Sequence, residues 1–275
     1  MKGKIARNLE DREEAIQLYC FADRSCPDVA VESGAGDGGP VEVLRGPKLA
    51  AVVGRVSRDF FCGPGAEGRL SDLNFLAPHL MRYQRVIQGV MTCSPVLPLR
   101  FGTLFSSCEA LEASMARHEE DVLRFLDEVR GKGEWALKGL WNEGDALASR
   151  VERLLEERGD ELASSPGKRY FQERRLRDEA RKGLRRDVDA VCEPLLQALG
   201  SLAADFRERR LLPSDLAGGK GTMIVNRALL VEEDAVEEMK ARVESSNREF
   251  ALAGLAFTLT GPWPPYTFAP SFEEP

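Results

Sequence analysis

The sequence predicts an α+β protein of two domains. Three observations predict it. Strand-like runs and runs with helical period interleave along the chain. The pattern stops at Gly131-Lys132-Gly133 and restarts beyond it. The second half then reads β-α-(long α)-β-α-β, close to a split βαβ sheet with helices on one side. The division reads as a flexible polar arm over residues 1–14, an N-terminal α+β domain over 15–132, and a C-terminal domain over 133–275 that includes a proline-rich tail. A chain of 275 residues is long enough to bury two cores.

In the first half, Ala15–Ala22 (AIQLYCFA) is apolar and aromatic enough for a strand. SGAGDGG, Ser33 to Gly39, is a glycine-rich loop. Val41–Leu44 and Leu49–Val56 pair as a hairpin about Arg45-Gly46-Pro47. Asp59–Arg69 (DFFCGPGAEGR) reads as a second flexible loop. From Leu70 to Met91 the apolar residues Leu73, Leu76, Leu80, Tyr83, Ile87 and Val90 recur every three or four positions, a helix. Pro95 and Pro98 bracket an extended segment that ends at Gly102. Ser106 or Ser107 then caps a helix with Leu111, Met115, His118, Val122, Phe125 and Val129 on its apolar stripe.

In the second half, Glu134–Trp141 (EWALKGLW) is a strand and Gly144–Arg158 a helix. SSPG, Ser164 to Gly167, is a break. Lys168–Leu212 carries one long helical pattern, a coiled coil or helical hairpin, with a kink expected at Pro194. Pro213 closes it and GGKG (218–221) turns the chain. TMIVNRALLV is a strand, and VEEDAVEEMKARVE a helix with acidic residues in its first turn, where the dipole favours them. FALAGLAFTLT gives a last, central strand with Leu255, Phe257 and Leu259 on one face. TGPWPPYTF, Thr260 to Phe268, follows as a polyproline-like ribbon, since three prolines remove three donors. Trp263 and Tyr266 are its expected buried anchors.

Composition excludes several functions. A hydrophobic share of 43%, a charged share of 30% and a net charge of −7 describe a water-soluble chain without a global pull toward nucleic acid or anionic lipid. No run is long and apolar enough for a membrane span, and the charged opening MKGKIARNLEDREEA has no signal-peptide core, so a cytoplasmic location is expected. The cysteines Cys20, Cys26, Cys62, Cys93, Cys108 and Cys192 form no C-x-x-C pair, and His79 and His118 lie near no cysteine pair, so no zinc site is expected. Free and mostly buried thiols are the reading.

Candidate chemistry finds little support. GGKGT lacks the spacing of a phosphate loop, because Ser214 and Gly221 stand where Gly and Ser or Thr are required. G-x-S-x-G is absent, His118 sits on a helix's apolar stripe as a core histidine, and His79 reads as a surface residue. Arg158-Gly159-Asp160 is a helix ending on glycine. Lys168–Arg186 holds nine Lys/Arg against three acidic residues. It could grip nucleic acid, but Glu173, Asp178 and Glu179 interleave at helical spacing and no known module accompanies them. In PVLPLRFG, alternation puts Val96, Pro98 and Arg100 on one face and Leu97, Leu99 and Phe101 on the other. Arg100 among apolar neighbours calls for an internal ion pair, or else a partner contact.

PVLPLRFGTLF, EWALKGLW, SSPGKRYF, MIVNRALLV and LTGPWPPYTF, in that order from Tyr19 to Phe268, resemble the gas-vesicle proteins F and L (GvpF/GvpL). LPLRFGT and TGPWPPY are long and specific. One departure is visible: the helix before LPLRFG usually carries a His where this chain has Tyr83. The resemblance implies a non-enzymatic accessory or minor structural protein of gas vesicle formation, located in the cytoplasm and at the gas vesicle. It implies two α+β domains, the second a modified ferredoxin-like fold. Its implied partners are the hydrophobic shell protein (GvpA type) and other gas vesicle accessory proteins, with no cofactor, nucleic acid or lipid membrane. The motif positions Pro98, Arg100, Phe101, Gly102, Trp135, Trp263, Pro264, Pro265 and Tyr266 are the candidate partner-binding or structural residues. The alternatives are an enzyme with an unrecognised pocket and a nucleic-acid module at Lys168–Arg186.

Overall fold

The computed structural model describes residues 14–28, 39–63, 65–158, 165–213 and 221–271. The N-terminal arm up to residue 13, most of SGAGDGG and GGKG, and parts of SSPG and of the Arg158-Gly159-Asp160 tripeptide lie outside them. The chain forms two compact units. One holds the described residues of Met1–Gly131 and of Trp263–Pro275; the other holds those of Lys132–Pro262.

The first unit is built on a sheet of strands β1 (Glu14–Asp23), β2 (Val41–Arg45), β3 (Leu49–Ser57), β4 (Val96–Pro98) and β5 (Leu104–Phe105). Their order is β2-β3-β1-β4, with β5 also pairing β1. The pairings are antiparallel. β1 is buried from Ala15 to Ala22, so both of its faces are covered, since successive side chains alternate. Pro98 closes β4 at the sheet's edge, where a missing N–H is tolerated. A register shift between Leu18 and Cys20 marks a bulge at Tyr19.

Helix α3 (Leu73–Met91) packs Tyr83, Val86, Ile87 and Val90 onto Tyr19, Cys20, Val52 and Val96. Asp72 caps it, accepting from the Asn74 amide at 2.9 Å. The expected single helix from Leu70 therefore divides at Asp72. Asp59–Arg69 is not a loop but holds two short helices, α1 (Arg58–Cys62) and α2 (Ala66–Ser71), separated by Gly63 and by Gly65 at φ 78°. The Arg69 guanidinium donates to the Asp59 carbonyl and ties them together. Helix α4 (Cys108–Val129) is capped by Ser107, whose hydroxyl accepts from the Ala110 amide at 3.2 Å.

The second unit has a sheet of order β7-β8-β6-β9, from β6 (Lys132–Trp141), β7 (Asp205–Glu208), β8 (Thr222–Glu232) and β9 (Leu255–Trp263). With the helices this gives β-α-β-β-α-β. The long helical pattern is interrupted twice. Gly183, at φ 89°, ends α6 (Pro166–Arg181) and opens α7 (Leu184–Leu202), which runs on through Pro194. Beyond Leu202 the chain forms β7, paired with β8 from Asp205↔Leu230 to Glu208↔Arg227. Helix α5 (Glu143–Arg158) precedes α6, and α8 (Val236–Phe250) joins β8 to β9. Leu184, Val188, Leu195 and Leu199 of α7, with Met239 and Val243 of α8, pack on Trp135, Leu137, Leu229 and Phe257 of the sheet.

β9 is an edge strand rather than a central one, and it continues through Pro262 to Trp263. An edge accepts proline where an interior strand would not. Beyond it the tail is not a continuous ribbon. The Phe268 and Ala269 amides donate to the Pro265 carbonyl at 3.2 and 3.1 Å, closing a turn.

Candidate functional site

The segment PLRFGT is shaped by its backbone. The Leu18 amide donates to the Thr103 carbonyl at 3.0 Å, and the Leu99 amide to the Tyr19 carbonyl at 3.0 Å, so both ends of the loop hook onto β1 beside the bulge. Between them the Thr103 amide and hydroxyl donate to the Arg100 carbonyl at 3.1 and 2.8 Å. Gly102 occupies the third position of this turn at φ 87°, the place a type II turn reserves for glycine. The turn splays its two large side chains apart. Arg100 reaches one cavity and Phe101 another.

Tyr83 supports the loop from below. Its hydroxyl donates to the Leu99 carbonyl at 2.9 Å and lies 3.2 Å from the carbonyls of Leu18 and Tyr19. Burial pushes this hydroxyl far above the ordinary phenol value, with Tyr266, Cys20 and Tyr19 adding to the effect. It therefore acts as a fixed donor.

The Arg100 side is a groove of about 750 Å³. Leu18 and Phe21 of β1 and Ser114 and His118 of α4 line it, together with Pro98, Arg100, Gly102 and Tyr266. Two motifs more than 150 residues apart in the chain thus meet in one cavity of the first unit. Arg100 is exposed, and among the described residues no carboxylate lies within ion-pair distance of it, so the expected internal ion pair is absent. Water solvates the guanidinium, which removes the need for one. His118 is half-buried at the groove wall rather than in the core.

Chemistry of catalytic type is poorly served. Burial holds the Cys20, Cys26, Cys108 and Cys192 thiols above their ordinary value, the wrong direction for a nucleophile. Three cysteines are buried, Cys62 and Cys93 are exposed and Cys108 is intermediate, so the expectation of mostly buried thiols holds for only half of them. No cluster of three metal-ligating side chains occurs among the described residues, and no helix among them is long and apolar enough to cross a membrane.

The family model for "Gas vesicle synthesis protein GvpL/GvpF" matches residues 15–270. The chain belongs to the GvpL/GvpF family. Gas vesicle protein L of a Streptomyces species is 28% identical over 262 residues, covering 95% of each chain. Gas vesicle protein L1 of Halobacterium salinarum is 26% identical over 266 residues, covering 94% of this chain and 91% of its own. The crystal structure of GvpF from an Anabaena species matches with a TM-score of 0.67 at 18% identity, over 94% of this chain and 100% of that one. GvpF from Microcystis aeruginosa matches with a TM-score of 0.64 at 20% identity, over 94% and 99%. These two show the fold. The family places the chain in gas vesicle formation.

The remaining motif positions of this GvpL/GvpF member lie elsewhere. Trp135 is a core residue of the second unit, 6% exposed, with the Lys240 ammonium 5.4 Å from its ring centre. Gly261 lies against it: a Cβ there would sit 2.8 Å from both the Trp135 ring and the Glu134 carbonyl. The sequence reading of the tail inverts burial. Pro264 and Pro265 are buried, while Trp263 and Tyr266 are 38% and 37% exposed. Proline has no N–H to leave unsatisfied, so it enters an interior more cheaply than an indole or phenol. The described residues 263–271, which the sequence division gave to the second domain, group with the first unit.

Lys168–Arg186 is exposed along most of its length and laced with ion pairs. Arg169 pairs with Glu173 at 3.0 Å, Arg158 with Glu179 at 3.2 Å and Arg185 with Asp189 at 3.2 Å. Sequence reasoning missed an aromatic cluster instead. Phe60 lies 4.5 Å from His79 and 5.7 Å from Phe75 between ring centres, so His79 is half-buried rather than a plain surface residue. The i,i+4 pair Phe75–His79 and the adjacent Phe60 and Phe61 were the signal available.

Proposed function

We propose that this chain binds the gas vesicle shell protein (GvpA type) before it enters the wall, and that the Arg100 groove receives it. Shell monomers expose apolar surface until they pack, an aggregation hazard that a covering partner relieves. The observation that carries the proposal is the meeting of PLRFGT and the post-Trp263 turn in one groove. Its walls are apolar, from Leu18, Phe21 and Pro98, and its rim carries an exposed cation, Arg100. Such a site holds an apolar segment flanked by a carboxylate or a carbonyl. Other gas vesicle accessory proteins are further partners, and the cytoplasm and the growing vesicle are the places of action.

The test is capture of purified shell protein by the intact chain, its Arg100→Glu variant and its Tyr266→Ala variant. Both side chains are exposed, so both variants should melt with the parent. Loss of capture in either supports the groove. Undiminished capture by both removes it.

A further inference from the structure

The Phe101 side of the same turn opens on a second cavity of the first unit, of about 270 Å³. We propose that this cavity is a binding site for a small apolar carboxylate, with an aryl group as its best-fitting body. This goes beyond the shell-protein reading, because a cavity of this size is small even among ligand pockets and admits no helix or strand.

Seven aromatic side chains line it: Tyr19, Phe60, Phe61, Phe75, His79, Tyr83 and Phe101. Phe101 meets Tyr83 edge to face at 5.3 Å and Phe61 at a tilt at 5.4 Å between centres, and Phe60 meets Phe61 edge to face at 4.7 Å. Walls of this kind offer a guest ring both faces and edges. The Tyr83 hydroxyl is engaged with backbone carbonyls, so only its ring serves the cavity.

Two donors specify the guest's head. Gln17 lines the cavity, is only 3% exposed, and its Nε2 is buried with no hydrogen-bond partner. Arg82 also lines it, and its Nε is buried and unpartnered. The rest of that guanidinium is fixed, Nη1 donating to the Tyr19 hydroxyl at 2.9 Å and Nη2 to the Gly39 carbonyl at 2.6 Å. Among the described residues Arg82 forms no ion pair. A buried donor left without an acceptor is costly, and a half-buried cation without an anion more so. A carboxylate supplies two acceptor oxygens and the missing charge. Asp59 also lines the cavity; its side chain is exposed, and it forms no ion pair with Arg82.

A carboxylate with an apolar body comes either as a free small acid or as the C-terminus of a polypeptide ending in an apolar residue. Isothermal titration of the intact chain separates these. Phenylacetate represents the first, acetyl-glycyl-phenylalanine the second, and phenylacetamide the uncharged counterpart. Phenylacetate should saturate one site, with phenylacetamide weaker by roughly tenfold or more. Tighter binding of the peptide acid would assign the polypeptide source, weaker binding the free acid. Phe75→Ala, at a partly exposed position, and the near-isosteric Gln17→Met should each weaken phenylacetate by roughly tenfold while the melting temperature of Phe75→Ala stays at the parent's. The proposal is overturned if neither acid saturates up to about 10 mM in natively melting protein, or if both variants bind as the parent does.

Discussion

Replacing Gly261 with alanine should destabilise the second unit, and the structure sets the size of the effect. The new Cβ would lie 2.8 Å from the Glu134 carbonyl oxygen and 2.8 Å from the Trp135 ring. Optimal carbon–carbon contact is about 3.5–4.0 Å, so the methyl intrudes by roughly 0.7 Å or more. Neither neighbour yields easily. The carbonyl belongs to β6, which lies between β8 and β9, and the indole is buried in the core. Gly133 across the strand pair repeats the arrangement, with a Cβ there 2.8 Å from that of Pro262. Overpacking of this kind costs about 1–3 kcal/mol, and the rigidity of both contacts puts Gly261→Ala at the upper end, about 2–3 kcal/mol. For a unit of this size that lowers Tm by roughly 5–10 °C. Calorimetry is the assay, since two units need not melt in one transition. A Gly261→Ala transition within about 1 °C of the parent would refute the reasoning.

Tyr83→Phe removes the donor shared by the Leu99, Leu18 and Tyr19 carbonyls and should cost about 1 kcal/mol or slightly more, read as a shift in urea midpoint. Alkaline titration should weaken the first unit. The Cys26 thiol is pushed up to about 11 by burial first and by Cys93 beside it, and burial raises Cys20 well above its ordinary 9.0. A raised thiol contributes stability that is whole below the unfolded value and lost as pH climbs through the folded one, so the loss runs from about pH 9 through pH 11. A Cys20→Ala/Cys26→Ala variant should show a shallower decline in urea midpoint across that window. With a thiol reagent at neutral pH, Cys62 and Cys93 should label first and Cys20 and Cys26 last, following exposure. Fast labelling at a buried position, read by peptide mass mapping, would revive the enzyme reading.

What the sequence makes legible is local chemistry. β-branched and aromatic runs disclose β1, β3, β6 and β8, and the three-to-four spacing discloses α3, α4 and α8. Helices α1 and α2 were hidden because five or six residues cannot show a period, and Gly63 and Gly65 read as loop. β7 was hidden for another reason. Leu199, Leu202 and Phe206 keep helical spacing past the helix's end, and no Gly or Pro stops the pattern at Ala203; the strand exists because β8 offers it an edge. Half of the groove was legible, since Pro98, Arg100, Gly102 and Tyr266 come from conspicuous motifs. That they meet depends on a long-range contact between residues 98–103 and the C-terminal tail, which no local pattern encodes. The aromatic cavity was less legible still, because Gln17 and Arg82 look ordinary until burial leaves their donors unmatched.

The central claim is that this chain works by covering an apolar building block. Co-expression with the shell protein followed by size-exclusion chromatography tests it most directly. The account predicts that shell protein becomes soluble and elutes with the chain, and that Arg100→Glu abolishes the shared peak. Shell protein that stays equally insoluble with or without natively folded chain would contradict it.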